Sequence, residues 1–310
     1  MTQAIGRRTF LKTGACAGLA LAVGPGLTLP AAGGGARAPR IGVGIGDDQG
    51  QAAVKAIGLA GGIKRFVGKG SKVALLPNVQ SRHPGSFTNP EILRAVIRLC
   101  RKAGAAEVNA VSWQPLKQWA DTGLKAVLDA EGAGLKLFER DEALFKPVPV
   151  PNGVQLKEVR LLAALFDHSV LINMPIAKDH AGNKFTGSMK NLMGLNSPAS
   201  NRTFHKTNWQ TDPADTAYLD QCIVDLNKSF KPTLNVVDVT EILVSNGPFG
   251  PGQLMRPRKV VAGTDRVAID AYCSSQWGLK AEDITQIKKG PEQGLGIMNL
   301  DRVNVVEEDI

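Results

Sequence analysis

The chain has 310 residues, a formal charge of +9 and only 5% aromatic residues. That length suits one large domain, or two intimate ones, with a sizeable core. The basic excess is diffuse and aromatics are scarce, which excludes a nucleic-acid stacking platform and leaves an anionic small molecule as the compatible partner.

Residues 6–12 read GRRTFLK, and an uncharged, mildly apolar run closing in small residues follows. Arg7 and Arg8 in this setting predict a twin-arginine export signal over residues 1–36, with cleavage somewhere in 32–38. The twin-arginine translocase is then the partner during export, and the periplasm is the destination. This route carries folded proteins, which permits a cofactor loaded beforehand without requiring one. Gly24, Pro25 and Gly26 interrupt the run, so no stable membrane anchor is expected from it. Loss of Arg7, Arg8 and Lys12 lowers the charge from +9 by three, to +6. Residues 37–310 are expected to form a single α/β domain. Cys16 leaves with the signal. Cys100, Cys222 and Cys273 lie far apart in apolar patterns with no CxxC spacing, so no iron–sulfur cluster or structural zinc is expected. They read as buried small hydrophobes, and spacing leaves open whether two of them pair.

GVGIGDDQG (42–50) lacks the glycine spacing of a dinucleotide fingerprint, and no strong helix is expected directly after it. KVALL (72–76) predicts a buried strand ending at Pro77-Asn78. Thr88-Asn89-Pro90-Glu91 then supplies a cap, a first-turn proline and an early acid. Apolar residues at 92, 93, 96, 97, 99, 100 and 103 set one face of the helix that Gly104 closes. Residues 108–111 return to strand, 116–131 predict a second helix and 135–138 a further strand. Residues 156–166 predict a helix and 170–173 a strand. Asp212-Pro213 caps a helix running to Phe230, with Tyr218, Cys222, Leu226 and Phe230 at steps of four. Residues 234–239 and 259–262 are strands, and Thr264 caps a helix from Asp265 to Trp277. This alternation predicts a mostly parallel sheet with helices on both faces, a Rossmann-like three-layer α/β fold.

In such sheets ligands sit beyond the carboxyl ends of the strands. Polar residues follow each predicted strand: Asn78, Ser112, residues 173–180, Asp238 with Glu241, and Thr264-Asp265. The densest stretch is NMPIAKDHAGNKFTGSMKNLMG (173–194). Lys178 and Lys190, with the hydroxyls of Thr186 and Ser188 and nearby backbone N–H groups, predict a cradle for an anion. A helix starting near Thr186 would add its N-terminal field and set Thr186 and Lys190 one turn apart on one face. A lysine beside another cation also serves as base or nucleophile. Lys184 reads as a solvated surface residue. His180 and His205 are the candidate metal ligands, joined by Asp238 or Asp270, although no HxxxH or HxxE spacing unites them. Asp238 sits within the apolar run NVVDV and needs a partner, either Lys178 or Lys190 or a purely structural hydrogen bond. His83 faces the cleft or water, His168 reads as structural, and SNGPFGPG (245–252) reads as a surface loop or a lid.

The motifs LLPNVQSRHPGSFTNPEILRAVIRLCRKAGAAEV (75–108), HSVLINMPIAKDHAGNKFTGSMKNLMG (168–194) with His205, NVVDVTEILVSNGPFGPG (235–252), TDRVAIDAY (264–272) and ITQIKKGPEQGLG (284–296) occur in this order. In this the chain resembles the bacterial and archaeal domain of unknown function numbered 362. The resemblance marks Asn78, Lys178, His180, Thr186, Lys190, Asn191, His205, Asp238 and Asp270 as family-pattern positions and implies no reaction. Some members carry ferredoxin-like segments, for which this chain has no cysteines. Many place a lysine where Leu76 stands here.

The resulting expectation is an exported α/β protein whose Lys/His-rich cleft binds an anionic small molecule or cofactor, with a lean towards an enzyme. Lys178, His180, Lys190 and Asp238 are the catalytic candidates. Asn78, Thr186, Ser188, Asn191, His205 and Asp270 are the ligand-binding ones. The alternative is a non-catalytic periplasmic protein that holds a metal or ligand for a redox partner.

Overall fold

The computed structural model describes residues 38–138 and 140–310. The expected export signal, residues 1–36, lies outside the described residues. The strands are β1 (Arg40–Ile45), β2 (Lys72–Pro77), β3 (Glu107–Ser112), β4 (Gly134–Leu137), β5 (Phe145–Pro149), β6 (Glu158–Leu162), β7 (Val170–Met174), β8 (Leu234–Val239), β9 (Ile242–Leu243), β10 (Leu254–Met255), β11 (Lys259–Gly263) and β12 (Asn304–Asp309). The α-helices are α1 (Gln49–Leu59), α2 (Pro90–Lys102), α3 (Leu116–Asp121), α4 (Leu124–Ala130), α5 (Ser188–Asn191), α6 (Pro198–His205), α7 (Pro213–Ser229), α8 (Arg266–Ser275) and α9 (Thr285–Glu292).

Eight strands form one sheet in the order β12-β1-β11-β8-β7-β2-β3-β4. β11 pairs antiparallel with both β1 and β8, while the remaining neighbours pair parallel. The expected mostly parallel sheet is therefore present, with one reversed strand. Alternation along the strands builds a core on each face. Val73 and Leu75 of β2, with Val170 and Ile172 of β7, pack under α1, α2 and α4. Ala74, Leu76 and Leu171 pack under α5, α7 and α8. Asn173 and Asn235 share the phase of Leu171 and Val237, so they point into the second face.

Local signals explain most elements. Asn89 caps α2 by accepting from Glu91 N–H at 2.8 Å, with Pro90 in the first turn as its sequence predicts. Asp212 caps α7 in the same way. Other expectations fail for identifiable reasons. The single helix over 116–131 is two, because Gly123 adopts φ +74° between α3 and α4. Residues 156–166 form β6 and a 3₁₀ turn rather than a helix. Val159 and Leu161 are buried there and the strand pairs antiparallel with β5, so tertiary pairing overrides the apolar pattern. Asp265, not Thr264, caps α8, accepting from Val267 and Ala268 N–H. A helix does follow GVGIGDDQG directly: α1, capped by Asp48. The glycines there serve packing, since a Cβ on Gly44 would lie 2.1 Å from Ala52 O of α1. Cys100, Cys222 and Cys273 are all buried and free, and no described helix is long and apolar enough to cross a membrane.

Gly44→Ala should lower the unfolding free energy by about 1–3 kcal/mol, because α1 must be pushed off the sheet. Gly58→Ala, in an exposed turn of the same helix where a Cβ meets nothing, should raise it by about 0.5–1 kcal/mol. Urea unfolding followed by circular dichroism separates the two.

Candidate functional site

β2 and β3 end side by side, and the segment after β7 folds back across their carboxyl ends. Two backbone bonds close this segment: Lys178 N–H donates to Thr186 O at 3.1 Å, and Thr186 N–H to Lys178 O at 2.8 Å. The closure drives the Lys178 side chain inward, where it is fully buried. Its Nζ donates to Ser86 O at 2.7 Å, Asn78 Oδ1 at 3.2 Å and Gln80 Oε1 at 3.5 Å. These are three acceptors for the three N–H bonds of an ammonium. Burial, then the neighbouring Lys190, lower its pKa to about 7.

Asn78 begins a chain of buried amides. Asn78 Nδ2 donates to Asn191 Oδ1 at 3.0 Å, Asn191 Nδ2 to Asn173 Oδ1 at 2.8 Å, and Asn173 Nδ2 to Asn235 Oδ1 at 3.0 Å. Asn235 Nδ2 ends the chain on Gly263 O at 3.4 Å. The chain ties β2, α5, β7, β8 and β11 together on one face of the sheet. Asn173 belongs to the polar stretch expected after VLI. Asn235 was missed, although a polar side chain within the run LNVV was a usable signal.

Above Lys178 lies a cavity of about 140 Å³. Asn78, Gln80, Trp113, His180, Thr186 and Lys190 line it, with Asn191, Asn201 and His205. Lys190 is buried there with weak partners, Asn183 Oδ1 at 3.4 Å and the Met193 sulfur at 3.8 Å. Burial lowers its pKa, and Asp220 opposes that shift. His180 Nδ1 lies 2.7 Å from Ala181 O, and His205 Nδ1 lies 2.7 Å from Asn201 O. Each carbonyl accepts from its imidazole, so each neutral ring carries its lone pair on Nε2. Burial and then Lys190 hold His180 well below the ordinary histidine range and His205 at about 4, so both stay neutral near pH 7. Both rings pack on Trp209, with centroids 4.9 and 5.0 Å away. Thr186 Oγ1 and Trp113 Nε1 are buried at this cavity without a partner among the described residues.

The other candidates stand elsewhere. Lys178, Ser188, Asp238 and Asp270 do not line the cavity. Asp238 accepts from Asn89 N–H at 2.8 Å and from Thr240 N–H and Oγ1 at 2.9 and 2.7 Å, rather than meeting Lys178 or Lys190. Burial raises its pKa to about 6. The expected helix beginning near Thr186 is the single turn α5, starting at Ser188. Its N–H groups are already taken: Asp270 Oδ1 accepts from Ser188 N–H at 2.5 Å and Oδ2 from Met189 N–H at 2.9 Å. The chain's own carboxylate therefore occupies the helix N-terminus that was expected to add its field to the anion cradle. Gly187 admits it, since a Cβ there would lie 2.4 Å from Asp270 Oδ1. Burial raises Asp270 to about 7. With both aspartates committed, the metal site of His180 and His205 plus Asp238 or Asp270 is not assembled. Among the described residues no three of His, Cys, Asp and Glu converge on a metal position.

His168 is structural, between Asn109 Nδ2 and Ala164 O. His83 packs beside Gly250. Residues 245–252 are pinned by Gly247, whose N–H donates to Asp179 Oδ2 at 2.8 Å and whose carbonyl accepts from Ala181 N–H at 3.2 Å. Sequence reasoning missed Gln80, Trp113, Asn183, Trp209 and Asp220. Gln80 and Trp113 follow strand ends, which was a usable signal. Asn183, Trp209 and Asp220 carry none beyond their place in the fold.

The chain is thus a mixed-sheet α/β protein with a polar, lysine-bearing cavity beyond the carboxyl ends of parallel strands. It belongs to the family described as Domain of unknown function (DUF362), which matches residues 73–275 and takes in every site residue named above. The thylakoid-associated protein sll1697 of Synechocystis sp. is 28% identical over 200 residues, covering 61% of this chain and 58% of the relative. The chain therefore spans less than two thirds of that relative. Among solved structures, the lactate racemase apoprotein of Thermoanaerobacterium thermosaccharolyticum is similar with a TM-score of 0.44 and 16% identity, over 63% of this chain and 49% of that one. A Thermotoga maritima protein is similar with a TM-score of 0.40 and 13% identity, over 62% and 51%.

Lys178 holds its proton less tightly in the fold than in the unfolded chain. Between about 7 and its ordinary 10.5 the unfolded chain binds the extra proton, so the stability contributed here rises with pH across that window. The unfolding free energy of the wild type minus that of Lys178→Met should therefore increase from about pH 7 to about pH 10. Urea unfolding at stepped pH measures it, and a flat difference would contradict the assignment.

Proposed function

We propose that the cavity at the carboxyl ends of β2 and β3 binds a small organic anion, with Lys190 as its charged anchor. One observation carries this reading: Lys190 lines the cavity, is buried, and among the described residues its Nζ has only an amide oxygen and a thioether as hydrogen-bond partners. A buried ammonium gains from a carboxylate in direct contact; Asp220 lies one residue further off, behind Asn183, and a ligand carboxylate in the cavity supplies the direct contact. The two Nε2 lone pairs favour a ligand that also bears a hydrogen-bond donor, a hydroxyl or amine beside its carboxylate. Thr186 Oγ1 and Trp113 Nε1 offer further partners at the same place. A volume of about 140 Å³ has room for a small organic acid.

The same groups support proton transfer. Burial and Lys190 make His180 and His205 weak bases by themselves; a ligand carboxylate offsets the Lys190 charge and raises their basicity, and either ring, fixed by its Nδ1–H bond, then accepts a proton at Nε2. On this reading the protein is an enzyme of small hydroxy or amino acids working by general acid–base catalysis. Lys178 sits below the cavity and adds positive potential without touching the ligand. The motif GRRTFLK supports a setting for this chemistry in the periplasm after twin-arginine export.

Isothermal titration with glycolate, acetate and inorganic phosphate tests the pocket. Glycolate should bind more tightly than acetate, and Lys190→Met should weaken glycolate by about tenfold or more, the worth of one charge-assisted hydrogen bond. Binding should take up a proton, because the anion restores the charge that burial disfavours. Failure of every acid to bind at millimolar concentration would overturn the reading. So would a stoichiometric transition metal, found by elemental analysis of natively purified protein and lost in His205→Ala.

In a zymographic test of localisation, a reporter fused after residue 40 should reach the periplasm, and Arg7→Lys with Arg8→Lys should hold it in the cytoplasm.

A further inference from the structure

Lys190 has no direct carboxylate partner, but it has one at a single remove. Its Nζ lies 3.4 Å from Asn183 Oδ1, and Asn183 Nδ2 donates to Asp220 Oδ1 at 2.6 Å. Asn183 is buried and Asp220 is 2% exposed. The amide therefore stands between cation and anion with its oxygen towards the first and its N–H towards the second. This is the orientation in which it transmits the attraction rather than screening it.

Asp220 also faces a different space. With Asn183, Lys184 and Thr285 it lines a second cavity, of about 350 Å³, whose lining shares no residue with the first. Asp220 can thus exchange a proton with solvent without passing through the Lys190 cavity. The remaining charged or titratable neighbours are few. His180, His205 and Lys178 face Lys190 from the closed segment and α6. Lys289 of α9 faces Asp220, its Nζ being bonded to Gln221 Oε1 at 3.0 Å. Asp270 of α8 lies under α5 and is spent on two backbone N–H groups. Asp283 lines the second cavity beside Asp220, but among the described residues Asp220 is the acid linked to Lys190 through Asn183.

We propose that Asp220, acting through Asn183, is the internal counter-charge of Lys190 and sets the pH range over which the cavity attracts anions. The inference rests on the anion-pocket reading for its functional meaning. Its electrostatic core stands on the relay alone. With Asp220 ionised, Lys190 keeps its proton to higher pH and the cavity stays positive. Burial raises the Asp220 pKa, and its bond from Asn183 and the Lys190 charge oppose that. In acid Asp220 becomes neutral, and Lys190 then stays charged without its help.

The test uses the full chain with lysines carbon-13-labelled at Cε, the Lys190 signal being assigned by its loss in Lys190→Met. Asp220→Asn should lower the Lys190 titration midpoint by about one unit or more, as expected for loss of a nearby opposite charge. Asp220→Glu keeps the charge and should keep the midpoint. Asn183→Leu removes the amide but leaves both charges, and should lower the midpoint by less than Asp220→Asn. Glycolate affinity should disappear at correspondingly lower pH in Asp220→Asn and match the wild type in acid. A purely structural Asp220 predicts the reverse: the isosteric Asn harmless, the longer Glu harmful and the midpoint unmoved. That result would overturn the proposal. If no acid binds the wild type, the anion-pocket reading fails while the Lys190 titration still decides the role of Asp220.

Discussion

The carboxyl end of this sheet is organised by the need to hold the Lys178 ammonium out of water without a carboxylate. The protein answers with amides. From Asn78 through Asn191 and Asn173 to Asn235, every side chain turns its oxygen towards the lysine and its N–H away, ending on a backbone carbonyl. Aligned amide dipoles reinforce one another in a low-dielectric interior, so the chain acts on the cation much as the C-terminal end of a helix would. It offsets part of the penalty of burial. It also fixes geometry, because each bond sets the spacing between two elements. The turn that carries Lys190 and Asn191 is held to β2 and β7 by these bonds, and the cavity above inherits its shape from them.

Carboxylates are placed by the same accounting of backbone donors. Asp238 takes the N–H groups of Asn89 and Thr240, and Asp270 those of Ser188 and Met189. Asp225 takes those of Val154, Gln155 and Leu156 at 2.6 to 3.0 Å. Each of these three acids therefore satisfies backbone that would otherwise be orphaned. This leaves the cavity's polar lining to Lys190, neutral imidazoles, hydroxyls and amides. Its positive character follows from where the acids went, more than from the number of lysines nearby.

Much of the scaffold was legible in the sequence. The strand KVALL, the Asn89-Pro90 start of α2 and the Asp212-Pro213 start of α7 are local decisions, made by residues within a turn of one another. The errors fall where partners are distant. An apolar run at 156–166 satisfies helix and strand alike, and pairing with β5 settles it. The cap of α8 passes from Thr264 to its neighbour Asp265 because only the latter reaches the free N–H groups.

At the site, sequence alone determined which residue types gather after β7, namely lysines, a histidine, hydroxyls and glycines, because strand ends and turn-forming glycines are written locally. Only the tertiary structure decided what those residues face. Asp238 and Asp270 looked like site acids and are backbone anchors, since the N–H groups they serve come from elements far away in the chain. Lys178 looked like an anion-binding or catalytic lysine of the cleft and is buried under an amide ladder contributed by four separate segments. Asp220 carried no signal at all, because its significance lies in one asparagine that touches it from another element. Charge and hydrogen-bond demand are fixed by residue type, but which demands are met, and by whom, depends on distances that only the folded chain creates.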